Sequence, residues 1–510
     1  MLARTHTFAV DGLDTRHVTV EVEIRPGLPS FKVVGLGDAG VQEARDRVRS
    51  AIVNSGYEFP ARRITANLAP GDVRKVGPAF DLALACGVLA ASGQLPTALL
   101  DHVALFGELA LDGAIRSCHG TLAVAQAASQ AGLDTLILGP KRAREAMLVP
   151  DIKVAVAERL RSAERILGAG PPDALPAESR QAHATTPDHP LDLADVQGQH
   201  EAVQALVIAA AGAHNMLLSG PPGTGKTMLA QRLPSILPPL SDTEAVDVLR
   251  IHSLTGSQAP DRLQYERPFR APHHTVTTAG LIGGARKGWV GEVVLAHHGV
   301  LFLDEFAEFA AATLEALRQP LEDGRVAIVR ARHSAVYPAR FMLVAATNPC
   351  RCGYAGTPNG CRCSGRELAR YRRRLSGPLL DRVDLFPRVR SEQSELEESK
   401  PLTSSAHARE AVLEARECQA ARFAGRGITV NAEMDARMLR EQVIALDECA
   451  TGMLAGARQR DGLSVRGQHR ALRVARTIAD LAGSERVAAK HMQKALSLRA
   501  QLGPNTSDAA

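Results

Sequence analysis

No stretch of the chain approaches the ~20 consecutive apolar residues that a membrane-spanning helix needs, so the sequence predicts no bilayer span and no membrane partner. The opening residues, Met1-Leu2-Ala3-Arg4-Thr5-His6, lack the apolar core of a secretory signal, and a cytoplasmic location is expected. Cysteine is sparse: eight in 510 residues are too few for a secreted disulfide framework. Four of the eight nevertheless crowd into fourteen positions, Cys350 to Cys363. Internal repeats and long low-complexity tracts are also missing. Neither sign of charge dominates, since 60 basic and 55 acidic residues leave only +5, which names no partner. The distribution is uneven, however. Arg340 to Arg390 holds eleven Arg and no Lys against Glu367, Asp381 and Asp384, a local excess of eight positive charges that suits an anion.

What is present begins with size. A chain of 510 residues exceeds what one hydrophobic core serves, and two to four domains are expected. Residues 1–168 open with Val18, Val20, Val22 and Ile24 alternating against Thr19, Glu21 and Glu23, a half-buried strand of an α+β domain. A second strand, Phe31 to Val34, leads into Gly35-Leu36-Gly37-Asp38-Ala39-Gly40, formally a dinucleotide fingerprint. That reading is rejected because Asp38 would repel a pyrophosphate. Asp38 as an N-cap and Gly56 as a stop, with Val41, Ala44, Val48 and Ile52 on one helix face, account for the same residues. Residues 169–190 carry five prolines and almost no large apolar side chain, and read as a linker.

Residues 191–390 carry the chemistry. Gly220-Pro221-Pro222-Gly223-Thr224-Gly225-Lys226-Thr227 fits the P-loop pattern between a short apolar strand and a helix-forming run. Such glycines let backbone N–H groups close on phosphate, Lys226 reaches the β and γ phosphates of ATP, and the Thr227 hydroxyl faces Mg²⁺. Gly299-Val300-Leu301-Phe302-Leu303-Asp304-Glu305 is an apolar strand ending in two carboxylates. Asp304 is expected to serve Mg²⁺ and Glu305 to polarise the attacking water. A further buried strand ends at Thr347-Asn348, where an amide can hold that water or the γ phosphate. Cys350-Arg351-Cys352 and Cys361-Arg362-Cys363 offer four thiolates for Zn²⁺, with reduced thiols or a disulfide as alternatives. The loop between them is expected to leave the catalytic strand end and project, presenting Arg351, Arg362 and Arg372 to Arg374 to a phosphate backbone, so that losing the metal weakens DNA binding and spares ATPase. A hairpin is predicted over Pro320 to Pro338 with its turn at Glu322-Asp323-Gly324. A metal at His273-His274 or His297-His298 is set aside, because adjacent histidines on one strand point to opposite faces.

Several segments resemble known families. Lys75 to Asp81 and Gly107 to Ala125 resemble the proteolytic domain of Lon, of the S5 domain 2-like type, but Ala79 and Ala123 or Ala125 stand where that dyad has Ser and Lys. The resemblance implies the fold and argues against an ATP-dependent protease. Asp192 to Gln199 resembles the adenine-contacting segment of AAA+ ATPases, and Arg270 to Gly284 the helix-2 insertion of one branch of them. Ser376-Gly377-Pro378-Leu379-Leu380-Asp381-Arg382 looks like the arginine-finger segment of the Mg-chelatase and MCM branch, with Arg382 acting on a neighbour's ATP; an Arg382–Asp384 surface pair is the alternative. Leu463 to Gly467 resembles sensor 2, with Arg466 first and Arg473 second. In this order the motifs resemble the Mg-chelatase-like YifB/ComM family across nearly the whole chain. The resemblance implies an α/β chain: a Lon-like α+β domain, an AAA+ P-loop domain with a parallel sheet, and a helical lid over 391–510. It implies an ATP-driven hexameric ring acting on single-stranded or branched DNA, as a branch-migration helicase that integrates incoming DNA. The alternative is a chelatase-type motor that remodels a protein partner or inserts Mg²⁺ into a porphyrin.

Overall fold

A computed structural model describes the chain except residues 12–13, 36–38, 73–74, 76, 150–151, 170–190, 255–262, 285–289, 331–332, 357–359, 375–376, 391–402, 442–443, 461–462 and 501–510. The linker from 170 onward and Asp38 therefore lie outside the described residues. The N-terminal region is a seven-stranded mixed sheet, in the order Ser30–Val34, Arg63–Ala69, Asp14–Arg25, Leu2–Asp11, Val103–Phe106, Thr135–Leu138, Lys153–Val156. Its third strand alternates as its sequence does, with Val18, Val20, Val22 and Ile24 buried. The helix Asp81–Ala91 is buried along its whole length, and Ala83, Ala85, Ala90 and Ala91 let it lie close against the sheet. Ala123 and Ala125 are likewise buried.

The central sheet is parallel. Met216–Ser219, Met342–Thr347, Val300–Leu303 and Phe269–Arg270 are neighbours in that order. Residues 385–389 extend it beyond Met216–Ser219, for Leu217 N–H donates to Leu385 O (2.9 Å) and Val389 N–H to Ser219 O (2.8 Å). These strands read as unbroken apolar runs because helices cover both faces. One core runs from the sheet into Ser405–Arg422, Val465–Leu481 and Ala489–Ala500, so the C-terminal helices share the central core. The N-terminal sheet docks on the helix Asp242–Leu254, where Leu249 joins its core and Arg142 donates to Ser253 O at 3.1 Å. Among the described residues no helix is long and apolar enough to cross a membrane.

The hairpin differs from the expectation. Its strands are Arg325–Arg330 and His333–Pro338, while Glu322 and Asp323 end the helix Arg318–Asp323 and Gly324 (φ 62°) caps it. Asp-Gly suits a hairpin turn and a left-handed helix cap equally well. The two arginines at the hairpin tip, Arg330 and Arg332, fall where the side chains lie outside the described residues.

Candidate active site

Three adjacent parallel strands end side by side, and their next residues are the chemistry-bearing ones. After Met216–Ser219 the backbone at Gly220 passes so near its neighbour that a Cβ would sit 2.2 Å from Val389 O; only glycine fits. Gly225, at φ 86°, then turns the chain into the helix Lys226–Ile236, whose N-terminus faces the loop. Lys226 is nearly buried. Its Nζ donates to Gly220 O (2.8 Å), Pro221 O (2.6 Å) and Asn348 Oδ1 (3.1 Å). Burial lowers its pKa, opposed by the charge of Asp304. The Thr227 hydroxyl donates to Asp304 Oδ2 at 2.6 Å, while Asp304 Oδ1 accepts the Glu305 N–H at 2.8 Å. A hydroxyl and a carboxylate in contact, half open to solvent, are the hard oxygen donors that Mg²⁺ selects.

Glu305 sits in the left-handed region (φ 51°), an uncommon place for a side chain with a Cβ. Its carboxylate is half exposed and pairs with His274 Nδ1 at 3.0 Å. His274 lies against His273 (4.1 Å between ring centres, tilted by 33°) and lines a cleft of about 340 Å³ with Phe309, Glu308 and Arg374. Asn348 is held through its backbone as well as its amide, since the Tyr371 hydroxyl donates to Asn348 O (3.0 Å) and lies 3.1 Å from Thr347 Oγ1.

Arg382 and Arg466 belong to the opposite end of the sheet. Arg382 O accepts from Asn215 Nδ2 (3.0 Å), and Asn215 precedes the strand whose far end carries the P-loop. A four-residue strand spans about 13 Å, which sets the Arg382 backbone about that far from the P-loop along it. Arg382, Arg466, Arg470 and Arg473 line one cleft of about 160 Å³ with Glu322, Asp381 and His469. The Arg382–Asp384 surface pair, the alternative to a finger role, does not form. Arg382 pairs with Glu322, and Asp384 takes Arg470 Nη1 at 2.6 Å and His214 Nδ1 at 3.5 Å. Burial alone would raise the Asp384 carboxyl; the charge of Arg470 and the bond from His214 outweigh it and hold the group well below the usual carboxylate range. Along the helix that follows, Arg466 is exposed, Arg473 is half-buried and Arg476 is buried against Asp480.

The four cysteines converge, with all four sulfurs within 4.8 Å. Cys350 to Cys352, Cys350 to Cys361 and Cys352 to Cys361 are separated by 3.3, 3.7 and 3.6 Å. Zn–S bonds of about 2.3 Å put tetrahedral sulfurs about 3.8 Å apart, close to what is seen, and far from a disulfide. The backbone N–H groups of Tyr354 and Arg362 favour the Cys352 thiolate and bring its pKa down to about 6. The loop does not leave the strand end directly: Cys350 is buried and Gly353 rests against Pro222 of the P-loop, while Cys361 is exposed and residues 357–359 lie outside the described residues. The histidine pairs also break their premise, for neither lies within a strand, and the His297 and His298 rings are 3.9 Å apart beside Asp247. His297 Nδ1 accepts the Arg340 N–H at 3.1 Å, which leaves the proton of the neutral ring on Nε2 and removes that nitrogen as a ligand.

With this geometry in hand, the chain was compared with known proteins. The family described as "Magnesium chelatase, subunit ChlI" matches residues 192–397, "Subunit ChlI of Mg-chelatase" matches 20–142, and "Magnesium chelatase, subunit ChlI C-terminal" matches 402–499. "Competence protein ComM" of Haemophilus influenzae is 43% identical over 506 residues, 98% of each chain. The "Uncharacterized protein YifB" of Salmonella typhimurium is 42% identical over 507 residues, 98% of this chain and 97% of that one. The chain belongs to the Mg-chelatase-like YifB/ComM family. Membership implies an AAA+ ATPase that uses ATP and Mg²⁺. Three contacts of this family member escaped the sequence reading: His274 on Glu305, Tyr371 on Asn348 and Glu322 on Arg382. Each joins residues more than twenty positions apart, so no local spacing announces it.

Proposed function

We propose that the protein is a cytoplasmic ring motor, hexameric by its family resemblance, that hydrolyses ATP at sites shared between copies and acts on single-stranded or branched DNA as a branch-migration helicase. The observation that carries the shared site is the separation of the P-loop end of the sheet, with Lys226, Thr227, Asp304, Glu305 and Asn348, from the arginine end, with Arg382 and Arg466. In this reading the chain divides into 1–168, a linker over 169–190, an ATPase core over 191–390 and a helical lid over 391–510. The backbone N–H groups of Gly223 to Thr227 receive the phosphates, and Lys226 exchanges its loop carbonyls for the β and γ oxygens. Thr227 and Asp304 hold Mg²⁺, which supplies neutralising charge to the phosphates. Glu305 accepts a proton from the attacking water, and Asn348 orients that water. Arg382 arrives from the neighbouring copy to stabilise charge on the transferred phosphoryl group, with Arg466 beside it. Glu322 is half exposed, whereas the Arg382 side chain is only 5% exposed within one copy, so the Arg382–Glu322 pair has to open for Arg382 to reach a neighbour's phosphate.

The DNA reading rests on exposed arginines and on a relative's name. Arg351, Arg362, Arg366, Arg370 and Arg373 are all exposed around the cysteine cluster and the helix that follows it. Phosphate contacts of this kind give affinity without sequence reading. The Haemophilus relative is named for competence. Cys350, Cys352, Cys361 and Cys363 hold Zn²⁺ in this reading. ATPase rate with and without single-stranded and forked DNA is the test: forked DNA is expected to raise turnover and to be displaced, whereas indifference to both DNAs would favour a protein-remodelling motor.

A further inference from the structure

The cysteine cluster adjoins Asn348 and the P-loop, and the helix it leads into reaches the loop behind Glu305. Cys350 lies two residues beyond Asn348 and is fully buried. At Gly353 (φ 87°) the loop folds back onto the P-loop, where a Cβ would come within 2.5 Å of Pro222 Cδ. Cys363 leads through Ser364, whose Oγ accepts the Glu367 N–H at 3.3 Å, straight into the helix Gly365–Arg374. That helix carries Tyr371, bonded to Asn348 O and Thr347 Oγ1, and ends at Arg374, whose Nη1 reaches Ala307 O (3.3 Å) and Glu308 Oε2 (3.4 Å) behind Glu305. N–H groups of Ala355 and Cys363 point at the sulfurs of Cys350 (3.3 Å) and Cys361 (3.4 Å), as groups that orient metal-bound thiolates do. Closing four thiolates on one ion fixes the start of the helix relative to the strand end, and with it Tyr371 and Arg374.

We propose that this cluster, closed on Zn²⁺, is a strut of the ATP site: metal occupancy sets turnover by positioning Asn348, Pro222 and the loop behind Glu305. The inference rests on the zinc reading above and reverses the expectation that losing the metal spares ATPase: the metal governs hydrolysis in the absence of DNA. Tyr371 is on this account a positioning residue, acting through Asn348.

The test uses the full-length protein, with zinc measured by elemental analysis, steady-state ATPase without DNA, melting temperature, and affinity for a fluorescent ATP analogue. Cys361→Ser with Cys363→Ser is expected to lose zinc and to lose turnover by about tenfold to a hundredfold, because a displacement of about 1 Å in a reacting geometry costs about a hundredfold. Tyr371→Phe keeps the ring and removes only the hydroxyl. It is expected to keep zinc, melting temperature and analogue affinity while kcat falls about fivefold, the equivalent of one lost neutral hydrogen bond. A parental protein without zinc overturns the metal reading itself. A zinc-free double variant with the parental rate overturns the strut and leaves the metal reading standing. If the double variant fails to fold, Tyr371→Phe decides, and an unchanged kcat overturns the link through Asn348.

Discussion

The two ends of the central sheet both carry charged groups and treat them differently. At the P-loop end Thr227, Asp304 and Glu305 are open to solvent, and their partners are groups a nucleotide or cation can replace. At the arginine end Asp384, His214 and Thr477 are buried side by side, with His214 Nε2 2.8 Å from Thr477 Oγ1 and its Nδ1 3.5 Å from Asp384, and Arg470 clamps Asp384. Open groups suit the exchange of ligands, and a closed network suits holding one side chain in a fixed direction. The difference is the one the proposed shared site asks for: an end open to phosphates, and an end that holds its arginines, Arg382 buried beside Glu322 among them.

The comparison can be broken by substitution at either end. Lys226→Ala is expected to abolish nucleotide binding, whereas Glu305→Gln keeps binding and loses turnover by about a hundredfold or more; a filter-binding assay beside steady-state kinetics separates them, and parental hydrolysis by Glu305→Gln would remove Glu305 from its role. At the other end Arg382→Ala is expected to bind ATP normally and lose about 10³-fold in kcat, the lower bound for an arginine supplied in trans. Loss of ATP affinity instead would make Arg382 part of its own chain's site.

A smaller effect sharpens the contrast. His274→Ala frees the Glu305 carboxylate from its 3.0 Å partner, and kcat is expected to change about threefold to tenfold with ATP affinity unaltered, the size of one charge-assisted hydrogen bond. An unchanged kcat at every pH would reduce the pair to a surface contact. At the arginine side of the sheet, His297 is kept neutral; burial first, then the charge of His298, pushes its pKa down to about 3. Its folded pKa lies below the unfolded value of about 6.5, so the unfolded chain takes the proton first. The stability it protects is complete above about pH 6.5 and is lost as pH falls from there toward 3. Denaturant titration is expected to show a loss of about 1–2 kcal/mol from this group by pH 5, and His297→Asn should flatten that slope.

The P-loop end was legible because its residues are contiguous: an apolar strand followed by Gly220 to Thr227, or by Asp304-Glu305, states both the element and what stands at its tip. The alternation at Val18 to Ile24 was legible for the same reason. What escaped was set by tertiary contact. Nothing near Glu305 in sequence names His274, nothing near Cys350 says that Gly353 folds back on Pro222, and the proximity of Arg382 to Asp384 suggested a pair that Glu322 and Arg470 take instead. The hairpin failed on a local ambiguity, because Asp323-Gly324 fits a turn and a helix cap alike.

The shared site is tested most directly by mixing two dead proteins. Glu305→Gln keeps Arg382 and loses the base; Arg382→Ala keeps the base and loses the arginine. If each site is built from two copies, an Arg382→Ala subunit whose neighbour is Glu305→Gln has every group it needs, and a mixture is predicted to hydrolyse ATP at a rate neither variant reaches alone. Mixed assemblies seen by mass photometry that remain as inactive as the separate variants would contradict the account.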